Sequence, residues 1–100
     1  MIYIAEKDLE IIKGILTKYV KNGRVMAFGS RCKGTHKEYS DLDLAIDINR
    51  KMTLKELGDI KEAFEESTLN YRVDVLDYNG ISAEFRAVID KGFEVVEYRQ

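Results

Sequence analysis

One hundred residues bound the chain to a single domain, 1–100, with enough surface to bury one core. At 45% hydrophobic and 34% charged it is not a disordered chain, no apolar run approaches a bilayer span, and Glu6, Lys7 and Asp8 interrupt the N-terminus too early for a signal peptide. Sixteen Lys and Arg against eighteen Asp and Glu leave a formal charge of −2, which argues against a domain that coats nucleic acid yet permits a local basic patch.

Residues 6–22 place Leu9, Ile12, Leu16 and Tyr19 on one stripe, widened by Ile11, Ile15 and Val20, with Glu10, Lys13, Thr17 and Lys21 facing away. That spacing predicts an amphipathic helix, and Asn22-Gly23 supplies its stop. Arg24 to Phe28 predicts a short buried strand that runs straight into Gly29-Ser30, and Arg31 to Lys33 has room for one helical turn. Lys33 to Ser40 is polar, contains Gly34 and reads as a loop. The single cysteine, Cys32, cannot staple the fold and has no Cys/His cluster around it for zinc. It reads as packing, in a reduced, cytoplasmic protein. His36 stands alone in the loop and is expected to be solvated.

From Asp41 to Ile48 the chain alternates with period two, a strand with Leu42, Leu44, Ile46 and Ile48 on its core side. Thr53 and Glu56 form a capping-box pattern, and Leu54, Leu57, Ile60 and Phe64 mark one face of a helix to about Ser67. Arg72 to Asp77 predicts a third strand. Ser82 to Lys91 predicts a short amphipathic helix on Phe85, Val88 and Ile89, stopped by Gly92, and Phe93 to Tyr98 a last strand. The order suggests one mixed sheet with helices packed on it, an α+β or α/β sandwich.

The chemistry concentrates in the middle third. Asp41 and Asp43, two apart on a strand, project from one face and repel each other unless a cation sits between them. Hard oxygen ligands suit Mg²⁺, and Asp74, mid-strand between Val73 and Val75, could add a third carboxylate from a neighbouring strand. Three such carboxylates suit two-metal phosphoryl transfer. Taken alone, Asp-x-Asp is also what a solvated strand face often carries. Gly29 lets the backbone come close to a bulky anion, Ser30 offers a hydroxyl and an amide, and Arg31 and Lys33 add charge. The same turn is equally compatible with an ordinary strand-to-helix connection. Gly29 and Gly34 have the spacing of a Walker A loop, but Thr35-His36 follows instead of Lys-Ser/Thr. An EF-hand loop fails because Ala45 and Ile46 replace a ligand and the obligatory glycine.

The joint pattern is more specific than its parts. A strand ending in Gly29-Ser30, about ten residues, Asp41-Leu42-Asp43 and a later strand with a central Asp74 resembles the DNA polymerase β-like nucleotidyltransferase superfamily. More narrowly, Phe28-Gly29-Ser30-Arg31 with Lys33-Gly34 and Ser40 to Ile46 resembles the minimal nucleotidyltransferases. The resemblance implies an α+β fold: a small mixed sheet of about four strands, flanked by helices, with the carboxylates at one open edge. It implies that Gly29, Ser30, Arg31 and Lys33 bind the nucleotide, and that Asp41, Asp43 and Asp74 are the catalytic residues and metal ligands, holding Mg²⁺ as two ions. Asp47 and Asp77 are left outside this set.

A domain of this length is expected to hold ATP or another nucleoside triphosphate and its metals while fixing the acceptor only weakly. The resemblance implies a HEPN-domain protein as partner, toxin to this chain's antitoxin. It also implies transfer of AMP from ATP onto a hydroxyl, a tyrosine of that partner. One alternative is a non-catalytic nucleotide-binding module that neutralises its partner by masking it, against which Gly29, Ser30, Asp41, Asp43 and Asp74 together favour catalysis. Another, nucleotide addition to RNA or to a small antibiotic, shares the same site and is not separated from the first reading by sequence. Membrane binding and strong nucleic-acid binding by this chain alone are not expected, and homodimerisation is left open.

Overall fold

The computed structural model describes residues 2–37 and 40–98; Glu38 and Tyr39 of the expected loop lie outside the described residues. In chain order the elements are α1 (Glu6–Tyr19), β1 (Arg24–Phe28), α2 (Ser30–Lys33), β2 (Leu42–Asp47), α3 (Leu54–Glu65), β3 (Val73–Asp77), α4 (Ala83–Asp90) and β4 (Glu94–Val95). The strands form one sheet in the order β3-β2-β1-β4, which is the expected α+β architecture. β1 runs antiparallel to both β2 and β4, whereas β2 and β3 are parallel, so α3 serves as the crossover that a parallel pair needs.

Period-two alternation divides the apolar residues between two faces. On one face Val25, Ala27, Leu42, Leu44, Ile46 and Val75 pack with Ile12 and Leu16 of α1 and Ile60 and Phe64 of α3. On the other, Met26, Ala45 and Ile89 of α4 form a much smaller buried cluster, bordered by Phe28, Tyr78, Ile81 and Phe93. Among the described residues no helix is long and apolar enough to cross a membrane.

Several boundaries depart from the expected ones for local reasons. α1 stops at Tyr19 rather than Asn22. Val20 has left helical geometry (φ −119°, ψ 88°), is 1% exposed, and its carbonyl accepts a 2.8 Å hydrogen bond from the Tyr98 hydroxyl. β4 is two residues long: the register pairs Val95 with Met26 and Glu94 with Ala27, and a bond from Val96 N to Val25 O follows it. Val96 and Tyr98 are nevertheless buried. Leu54 does not join the buried face of α3: it opens the helix well around from Ile60 and Phe64 and is 92% exposed. Likewise Phe85 and Val88 are exposed on α4, and Ile89 alone is fully covered.

Candidate active site

The register brings two of the three carboxylates face to face. Phe28, the last residue of β1, pairs with Asp43 of β2, and Asp43 pairs on its other side with Asp74 of β3. Paired residues of adjacent strands share a face, so both carboxylates project on the side of α4, from strands ~4.8 Å apart. Asp41 precedes β2 and sits at its mouth. β3 is an edge strand, and a cavity of about 670 Å³ wraps that edge, with Phe28, Asp43, Asp74 and Phe85 on one side and Lys61 and Leu69 on the other. Phe85 meets Phe28 edge-on, with ring centroids 6.2 Å apart, so α4 and β1 close this side of the cavity.

Gly29 joins β1 to α2 at φ 83° and ψ −158°, a conformation essentially restricted to glycine. A Cβ there would run into Oδ2 of Asp43. The sequence alone assigns this glycine to close approach by a triphosphate; the structure adds that it seats the Asp43 carboxylate. Ser30 opens α2, and its carbonyl accepts from Thr35 N at 3.2 Å. Lys33 is exposed at the other end of the same turn.

Arg31 has a different placement from the one expected of a phosphate contact. It is 5% exposed, donating from Nε to Ser40 O at 2.9 Å and from Nη1 to Tyr3 O at 3.0 Å, with its guanidinium 4.0 Å above the Tyr71 ring. Tyr3 N returns a 2.8 Å bond to Arg31 O. Arg31 thus fastens α2 to the N-terminal segment, to the entry of β2 and to the approach of β3. Tyr71 is half-buried, and burial together with Asp8 pushes its hydroxyl up to about 12.

Asp43 carries the electrostatic load. Burial first, then the charges of Asp74 and Asp41, push its carboxyl above the ordinary range, and Arg72 only partly offsets them. Arg72, which the sequence does not single out, sits among these carboxylates. Its Nη2 lies 3.1 Å from Asp41 Oδ2, and its Nε lies 3.1 Å from Asp74 Oδ1. One signal could have found it: Arg72 and Asp74 are two apart on a strand and therefore share a face.

The donor set suits a hard divalent cation, being all carboxylate oxygen, with two groups paired in register and one under anionic crowding. Among the described residues no three His, Cys, Asp or Glu side chains are gathered as a ready-made metal cluster. The guanidinium of Arg72 instead bridges Asp41 and Asp74.

The residues left outside the set have structural work. Asp77 is 7% exposed and accepts from Met52 N at 2.8 Å and Asn79 N at 3.2 Å, tying the end of β3 to the entry of α3. Asp47 accepts 2.8 Å bonds from Asn49 N and Asn79 Nδ2. Cys32 packs half-buried against the larger core, and burial followed by Glu94 raises its thiol. His36 is not simply solvated: its Nδ1 is buried without a hydrogen-bond partner among the described residues, and its ring lies 5.4 Å from that of Tyr3.

A family model described as Polymerase beta, Nucleotidyltransferase matches residues 10–99. A Haemophilus influenzae protein named "Probable protein adenylyltransferase MntA" is 43% identical over 97 residues, which cover 97% of this chain and 85% of the relative. A crystal structure of a toxin-antitoxin with AMP-PNP has the same fold at a TM-score of 0.76 and 19% identity, over 93% of this chain and 75% of that one. A mutant of the toxin-antitoxin MntA-HpeT does so at 0.74 and 17% identity, over 97% and 76%. On the family match, which takes in every strand and all three carboxylates, the chain is a nucleotidyltransferase of the polymerase beta family, and within it a minimal nucleotidyltransferase.

Proposed function

We propose that this nucleotidyltransferase moves AMP from ATP onto a hydroxyl acceptor, a tyrosine of a HEPN-type toxin, and acts as that toxin's antitoxin. The observation that carries the reading is the in-register pairing of Asp43 with Asp74 beside the Gly29-Ser30 turn, at the rim of a cavity large enough for a nucleotide. The adenylyltransferase name of the 43% identical relative supports AMP as the group moved, and the toxin-antitoxin neighbours support a toxin as partner.

In this reading the amides and hydroxyl of the Gly29-Ser30 turn receive the triphosphate, with Lys33 adding charge from the far end of α2 and Arg31 holding the turn in place. Asp41, Asp43 and Asp74 would hold Mg²⁺, as two ions. The metal would neutralise the triphosphate and make the acceptor hydroxyl easier to ionise. The acceptor oxygen attacks the α-phosphorus, the bond to the bridging oxygen breaks and pyrophosphate leaves. The Asp74 carboxylate, nearest the open edge of the sheet, takes the hydroxyl proton.

The test is to incubate the protein with Mg²⁺, each nucleoside triphosphate in turn, and a candidate HEPN-type toxin, then read the intact mass of both chains. One AMP on the partner, lost on Tyr→Phe replacement of the acceptor, is the expected result. Asp74→Asn should slow its formation roughly 10²–10⁴-fold. Neutralisation of the toxin without any adduct would overturn transfer in favour of masking.

A further inference from the structure

The acidic site carries its own cation. Arg72 immediately precedes β3, and its backbone is pinned by a 2.9 Å bond from Leu42 N to its carbonyl. Leu42 pairs with Val73, so one step earlier the parallel register sets Arg72 beside Asp41, while strand parity puts Asp74 on the same face as Arg72. The guanidinium spans that gap: Nη2 reaches Asp41 Oδ2 at 3.1 Å and Asp74 Oδ2 at 3.2 Å, and Nε reaches Asp74 Oδ1 at 3.1 Å. Its planar fork can engage two carboxylates at once, which a lysine ammonium does less well.

We infer that Arg72 is a placeholder cation: it occupies the space between Asp41 and Asp74 in the metal-free protein, and a divalent ion must displace it to bind there. The inference rests on the metal reading of the site given above. Both carboxylates that it engages are among the three that would hold the metal, so guanidinium and metal compete for the same oxygens. The contact can open readily, because the Arg72 side chain is 70% exposed and those of Asp41 and Asp74 are 41% and 40% exposed. Exposed pairs of this kind are weak and exchange freely with water. As a positioning residue, Arg72 also keeps Asp41 and Asp74 near each other while no metal is present.

A metal titration without nucleotide or acceptor tests this directly. Mn²⁺ binding is followed by the electron paramagnetic resonance signal of the free ion, for the wild type, Arg72→Gln, Arg72→Lys and Asp43→Asn. Arg72→Gln removes the competitor and one positive charge, so it should bind Mn²⁺ about five- to tenfold more tightly, the difference shrinking at high salt. Arg72→Lys, which keeps the charge but loses the fork, should fall between it and the wild type. In EDTA the melting temperature of Arg72→Gln should be lower than that of the wild type, and saturating Mn²⁺ should raise it by more. A purely structural role for Arg72 would lower stability and leave the metal-induced rise unchanged. A role only in phosphate contact would weaken ATP binding and leave Mn²⁺ binding unchanged. Either result, with Mn²⁺ binding to the wild type and lost in Asp43→Asn, overturns the placeholder alone. Failure of Mn²⁺ to bind both the wild type and Arg72→Gln would overturn the metal reading itself, and the placeholder with it.

Discussion

Of the three carboxylates, Asp41 and Asp74 share the guanidinium of Arg72, whereas Asp43 lies between β1 and β3 with its carboxylate against Gly29. Burial and the two neighbouring negative charges both disfavour its ionised form, which is why its carboxyl is raised. In the absence of metal the folded state therefore carries a charge that the unfolded chain accommodates more easily. Asp43→Asn keeps the shape against Gly29 and removes the charge. At pH 7 in EDTA it should raise the melting temperature, while Asp74→Asn, which also gives up a partner of Arg72, should change it little. With Mg²⁺ present Asp43→Asn should lose turnover. A lower melting temperature for Asp43→Asn in EDTA would show that the carboxylate contributes more through its local contacts than it costs through repulsion. Gly29 belongs to the same knot, because its positive φ and its contact with Asp43 both require the missing side chain.

Among the elements, α3 has the most completely specified start. Thr53 Oγ1 accepts from Glu56 N at 3.1 Å, Glu56 Oε1 accepts from Thr53 N at 2.8 Å, and Arg50 clamps both oxygens of Glu56 at 2.9 and 2.7 Å. The capping box is legible in the sequence; the arginine clamp is not, because the turn at Asn49, with φ 66°, must first bring Arg50 round. Arg50 foremost, helped by Thr53, lowers the Glu56 carboxyl to about 2. A depressed carboxyl contributes stability above its ordinary value near 4.5 and loses that contribution as pH falls toward 2. Glu56→Gln keeps an acceptor for Thr53 N while losing the charge. It should melt slightly below the wild type at pH 7, and the gap should close as pH falls from about 4.5 to about 2. The effect will be small because the pair is solvent-exposed. An unchanged gap across that range would mean that packing or cap geometry, rather than charge, sets the difference.

Across the whole molecule the two faces of the sheet are unequally supported, and the candidate site lies on the thinner side. Alternation along β2 and β3 makes the core face legible from sequence and puts Asp43 and Asp74 on the same face, but parity leaves the register free by steps of two, so their direct pairing emerges only from the structure. What alternation cannot reveal is how segments far apart in the chain use one another's polar groups. Arg31 finds Tyr3, Ser40 and Tyr71, and Arg72 finds Asp41, only after the sheet has closed. Nor does periodicity tell how much of a short helix is covered. The fully buried cluster beneath α4 is Met26, Ala45 and Ile89, against a core on the other face supplied by two helices. Phe85, on α4, both lines the cavity and meets Phe28, so the position of α4 shapes the site. Ile89 is 0% exposed, and Ile89→Ala should cost about 2–5 kcal/mol by removing buried methyl groups and leaving a cavity. The loss should be felt first as local opening of α4, because so few buried side chains hold it to the sheet. Hydrogen exchange measures this directly. In Ile89→Ala the amides of 83–90 should exchange through an opening well below the global unfolding free energy, while those of α1 and β2 continue to report global unfolding. Leu16→Ala, which cuts into the larger core, should instead speed exchange across α1, α3 and the central strands together. If the amides of α4 and α1 accelerate equally in Ile89→Ala, α4 is an integral part of one cooperative core, and the site has no softer wall.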